Sequence, residues 1–254
     1  MRVFLIGGLV LLGLSQALAN ERHTPRVIRI HETISQQTLE RLRMNLIGFH
    51  NSDPFPAGLI VLLDSAGGDG QTAMQIGRMF RQHRAHVFVS RRCDSACVFV
   101  LMGGIVRAAT PGSVGVHASR LTMMTRDGKV TQEIDASRNL GHAYRLTSFN
   151  TEARQYLQAM GIGHGILDVM LAQPANRLYK LSATDLNRYQ VNGIDPAYLR
   201  QRIADLVERG DIPAIDPSTF ARRTLAIPRQ CGDAIRTDHG LFRCYQQTLR
   251  GLPH

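Results

Sequence analysis

Residues 59–81 read LIVLLDSAGGDGQTAMQIGRMFR. The opening run is apolar without a break, the pattern of a strand buried on both faces rather than one with a wet side. Adjacent glycines then turn the chain, and Ala73, Ile76, Met79 and Phe80 recur at helical spacing. A doubly buried strand feeding a helix through a tight turn is the building unit of a parallel sheet with crossover helices.

The same alternation continues on both sides. Upstream, PRVIRIHETIS (25–35) reads as a strand, and Ser35 caps a helix carrying Leu39, Leu42, Leu46 and Phe49 on one face. Downstream come a strand at AHVFVS (85–90), a helix at SACVFVLMGG (95–104), a short strand around IVRAA, and a strand at SVGVHAS (113–119) after the Pro111-Gly112 turn. Residues 120–138 are polar, with a hairpin or loop tip at Asp127-Gly128. Helices are predicted over 137–160 and 164–173, then a strand and a Ser182-capped helix. The fold class is α/β, with one domain over 20–209. Prolines and a cysteine pair make 210–254 an irregular tail, in which Cys231 and Cys244 are a plausible disulfide.

Residues 1–19 have the makings of a cleaved signal peptide: Arg2, a short apolar core, and Ala17-Leu18-Ala19 before the cleavage point. The core is short for a membrane-spanning helix, which needs about 20 apolar residues. No later segment is apolar enough to span, so the mature chain is expected to be periplasmic or secreted. The net charge is +10, carried almost wholly by arginine, with Lys129 and Lys180 as the lysines. These arginines are spread along the chain without aromatic interleaving or a basic tail, which argues for a solvated basic surface and against nucleic acid.

Ser95 stands between Cys93 and Cys97, at the turn from strand to helix. Position alone allows a helix cap, stabilising by about 1 kcal/mol. The cap is the favoured reading on position alone, and the alternative is a nucleophile held out of the sheet, with the Ala96 N–H aimed at the same point. Cys93 and Cys97 fit a local bridge, two buried thiols, or half a metal site. No second Cys/His cluster of ligand spacing is present, so no metal is expected. In SVGVHAS, His117 interrupts an apolar strand and is the candidate base. The turn Asp64–Gly70 can aim bare N–H groups at an oxyanion or phosphate, but no Lys-Ser/Thr follows it as in a phosphate loop.

LIVLLDSAGGDGQTAMQIGRMFR, CDSACVFVLMGG and PGSVGVHAS, in that order, resemble the ClpP-like serine peptidases of the ClpP/crotonase fold, and most of all their exported bacterial members. The resemblance spans residues 26–200. It implies a spiral of ββα units, a homo-oligomer, Ser95 as nucleophile, His117 as base, and Gly68 and Ala96 as oxyanion-hole donors. Two positions depart from the family. Ala66 replaces a proline of the glycine turn, and the usual third-member aspartate is missing from QPANRLYKLSATDL, where Asn176 lies nearest its place, with Asp168 on the preceding helix as a substitute. No cofactor is implied, and export excludes an ATP-driven unfoldase, leaving peptides or loosely folded proteins as substrates. The expected activity is an ATP-independent serine peptidase. The alternatives are a binding or scaffold protein on the same fold and, disfavoured by export, a crotonase-type enzyme acting on acyl-CoA. In an oxidising compartment a Cys93–Cys97 disulfide would lock the Ser95 turn.

Overall fold

The computed structural model describes residues 25–253. The leader and its cleavage point after Ala19 lie outside the described residues. Strand β1 (Arg26–Ile30) leads to helix α1 (Gln36–Leu46), capped by Ser35, whose side chain accepts the Thr38 N–H. β2 (Leu59–Ser65) leads to α2 (Gly70–Gln82), and β3 (His86–Asp94) to the short α3 (Cys97–Met102). β4 (Val106–Ala108) and β5 (Val114–Val116) follow. β1 to β5 pair in parallel. The long β3 takes β4 along its first half and β5 at Cys93 and Asp94.

Further on, β6 (Leu121–Met124) and β7 (Val130–Ile134) form a separate antiparallel hairpin. Helices α4 (Leu140–Ala159) and α5 (Gly165–Leu171) come next. β8 (Tyr179–Lys180) adds antiparallel to β5, and after α6 (Ala183–Arg188) β9 (Gly193–Ile194) adds antiparallel to β4.

The unbroken apolar run of β2 is explained by two cores. Leu59, Val61 and Leu63 pack toward α1 to α4, whereas Ile60 and Leu62 face the opposite layer. That layer comprises α7 (Pro196–Glu208), α8 (Pro217–Leu225), α9 (Ile227–Gln230) and α10 (Asp238–Arg250). Residues 210–254 are therefore not the irregular tail their prolines suggested. Pro217 and Pro228 sit in the first turns of α8 and α9, where a missing N–H costs nothing and the fixed φ favours the helix. A Cys231–Cys244 disulfide ties α10 to the chain before it.

One buried cluster joins this layer to the sheet. The His86 ring is hydrogen-bonded through Nδ1 to Tyr245 Oη at 2.8 Å and through Nε2 to Tyr198 Oη at 2.7 Å. Arg202, also fully buried, donates to the carbonyls of Asp53, Pro54 and Pro56. Among the described residues, no helix is long and apolar enough to cross a membrane.

Candidate active site

The parallel strands β2, β3 and β5 deliver their C-terminal ends to one place, where an open α/β sheet leaves a crevice. β3 ends at Asp94, and the chain turns at Ser95 with φ 54°, the left-handed region that a residue with a side chain enters at a cost. Ser95 is not a helix cap. The residue preceding α3 is Ala96, and no side chain caps that helix. The Ser95 N–H donates to the Gly115 carbonyl at 2.8 Å, and its own carbonyl accepts the Val98 N–H at 3.1 Å. Its hydroxyl is left without a hydrogen-bond partner among the described residues. A disulfide between the buried Cys93 and Cys97 closes the turn beneath it.

The glycine turn lies against this one. A Cβ on Gly67 would come within 2.6 Å of the Asp94 carbonyl and 2.8 Å of Ser95 Cβ, so the two turns touch only because glycine stands there. Gly68, at φ 146°, bridges to Ile34, whose N–H and carbonyl bond Gly67 and Asp69 on either side, each at 2.8 Å. That arrangement uses neither the Gly68 N–H nor the Ala96 N–H, and neither has a partner among the described residues.

His117 follows β5 and is 9% exposed. Its Nδ1 lies 2.7 Å from the Ala118 carbonyl oxygen. A carbonyl can only accept, so Nδ1 carries the proton and Nε2 presents its lone pair. Ser95, His117, Gly68 and Ala96 all border one cavity of about 270 Å3, with Phe99, Phe149 and Met170 as its apolar wall. No hydrogen bond joins the Ser95 hydroxyl to the His117 ring in this state.

The third residue expected from the sequence is not brought to the site. Asn176 is exposed in the turn after Pro174 and makes no hydrogen bond to His117. Asp168 is paired with Arg154 at 3.0 Å on the surface of α5. The orienting role at Nδ1 falls to a backbone carbonyl instead. Among the described residues, no group of three or more His, Cys, Asp or Glu side chains could hold a metal ion.

No protein-family model and no curated protein matches the chain. Solved structures similar to it include an asparagine-to-aspartate variant of ClpP1 from Listeria monocytogenes, 16% identical with a TM-score of 0.48, covering 70% of this chain and 93% of the other. A serine-to-alanine variant of the 1510-N membrane-bound stomatin-specific protease is 15% identical with a TM-score of 0.44, covering 70% and 82%. The likeness is one of fold alone.

Two further features border the site. Lys180 donates to Asp94 Oδ1 at 2.6 Å, with Asp94 nearly enclosed and Lys180 half-exposed. Gly115 lies between them: a Cβ there would sit 2.4 Å from Asp94 Oδ1 and 3.1 Å from Lys180 Nζ. The pair thus locks β8 and β5, the strand that carries His117, to the residue preceding Ser95. The second feature is the β6–β7 hairpin, which forms one side of the cavity through Arg120, Thr122, Met124, Gly128 and Val130. The Asp127-Gly128 tip marks the hairpin in the sequence, whereas nothing local marks the ion pair.

Proposed function

We propose that this chain is an exported, ATP-independent serine hydrolase that cleaves peptides or loosely folded proteins, acting as a homo-oligomer. The observation that carries the reading is the single cavity shared by the Ser95 hydroxyl, the His117 ring and the unpartnered N–H groups of Gly68 and Ala96. In this reading His117 Nε2 takes the Ser95 proton as Oγ bonds to the substrate carbonyl carbon. The N–H groups of Gly68 and Ala96 hold the resulting oxyanion, each worth about 3 kcal/mol in the transition state. Collapse of the tetrahedral intermediate breaks the C–N bond, and His117 gives its proton to the departing amine. Water, activated by the same imidazole, then releases the acyl group and restores Ser95. The Ala118 carbonyl holds the ring tautomer throughout. It stabilises the imidazolium less than a carboxylate would, which predicts a slow enzyme.

A second reading, a binding protein on the same fold without catalysis, is favoured by the missing Ser95–His117 hydrogen bond. A fluorophosphonate probe separates the two. The peptidase reading expects covalent labelling of the purified protein that disappears in Ser95→Ala and falls sharply in His117→Ala. An unlabelled wild type beside a labelled control hydrolase supports the binding reading.

A further inference from the structure

A second cavity, of about 410 Å3, adjoins the first. Both are bordered by Gly68, Gly70, Arg120, Thr122 and Phe149, so they form one groove running from Ser95 along the glycine turn and β6. Its charge leans positive. Arg120 and Arg145 line it, and the only lining carboxylate is Asp69, whose Oδ1 already accepts the Thr72 N–H at 2.7 Å as the cap of α2. Arg120 meets Glu133 at 3.3 Å across the hairpin, an exposed pair that a competing carboxylate can replace.

The Arg145 side chain, exposed on α4, has no hydrogen bond, ion pair or ring contact among the described residues. Arg29, Arg41, Arg81, Arg84 and Arg154 each meet a carboxylate, and the other arginines whose side chains lack a partner among the described residues, Arg177, Arg200 and Arg229, do not border this groove. A guanidinium offers a planar fork of donors that fits a carboxylate in two parallel hydrogen bonds. An unpartnered one, on a groove that leads to a candidate nucleophile, is a recognition element for an acidic group.

We propose that the groove selects peptides bearing a carboxylate a few residues from the bond to be cut, with Arg145 as the main contact and Arg120 as the second. This rests on reading Ser95 as the nucleophile only for where the peptide lies, so binding is measured without catalysis. Fluorescein-labelled, C-terminally amidated peptides identical except for Glu, Gln or Lys at one position are titrated against the Ser95→Ala protein by fluorescence anisotropy. A fourth peptide carries Gln and a free C-terminal carboxylate. The Glu peptide is expected to bind about tenfold more tightly than the Gln peptide, and the Lys peptide more weakly than either. The Glu advantage should shrink at about 1 M salt. It should vanish in Arg145→Gln and persist in Arg222→Gln, a surface change on α8. If the free-terminus peptide gains instead of the Glu peptide, the carboxylate selected is the chain end, and the proposal stands with that assignment. Equal affinities for all four peptides, no measurable binding, or an advantage that survives Arg145→Gln would overturn it. Absence of fluorophosphonate labelling would remove the nucleophile and leave this binding result intact.

Discussion

The backbone amide of Ser95 donates to the carbonyl of Gly115 at 2.8 Å, two residues before His117. This bond fixes the turn carrying the hydroxyl to the strand carrying the imidazole. The left-handed turn, the ion pair above it and the ring behind it can each be tested separately.

Ser95 occupies φ 54°, where a Cβ costs about 1–2 kcal/mol and glycine has no such penalty. If Ser95 is the nucleophile proposed above, Ser95→Ala and Ser95→Gly both lose activity by on the order of 10⁴-fold or more. They should differ in stability, with the glycine variant about 1 kcal/mol more stable than the alanine variant in urea denaturation. Equal midpoints would mean that the turn relaxes when the hydroxyl is removed.

Gly115→Ala would push a methyl group to 2.4 Å from Asp94 Oδ1, which cannot be accommodated without parting Asp94 from Lys180. It should cost about 1–3 kcal/mol and lower kcat, because β5 carries His117. Lys180→Met removes the donor without the clash and leaves the enclosed Asp94 carboxylate unpaired, at a cost of about 1–3 kcal/mol. Lys180→Arg should recover part of both losses. Full activity in Lys180→Met would show that the pair does not hold the base in place.

With the Ala118 carbonyl at Nδ1, neither Asn176 nor Asp168 has a part in orienting the ring. Asn176→Ala and Asp168→Asn are expected to keep kcat/KM within about twofold of the parent, as surface substitutions do. A loss of a hundredfold or more in either would place that side chain behind His117 when substrate is bound.

Burial holds the His86 imidazole well below its ordinary value of 6.5, and Arg202 and Arg84 push it the same way. The native protein therefore binds fewer protons than the unfolded chain once the pH falls below about 6.5. Stability should rise with pH up to that region and fall below it, by at most about 1.4 kcal/mol per pH unit from this one group. His83, also lowered by burial, adds in the same direction. His86→Gln should be less stable at pH 8 but show a shallower decline between about pH 6.5 and 4.5. Parallel curves for the two proteins would assign the slope elsewhere.

What the sequence disclosed follows from the range of the interactions involved. Continuous burial in β2 and helical spacing in α2 are local patterns, and they sufficed for the alternating α/β layout. The serine between its cysteines and the histidine in an apolar strand were visible because each breaks a pattern. The Asp94–Lys180 pair joins residues 86 apart and leaves no local mark. The bond from Nδ1 to Ala118 depends on how the ring is turned, which no residue identity encodes. In the C-terminal segment, Leu241, Cys244, Tyr245, Thr248 and Leu249 form a helical stripe, but a proline that opens a helix looks, in sequence, the same as one that breaks it.

The pairing of His86 with Tyr198 and Tyr245 has a practical consequence for shortening the protein. A chain ended before Thr237 would take Tyr245 and Leu249 off the sheet and uncover Ile60, Leu62 and Phe88. That bared surface would be broad, apolar and backed by strands, so the product should clump with its own kind instead of behaving as a smaller folded protein. The minimal folding unit therefore extends well past the last residue that touches the cavity.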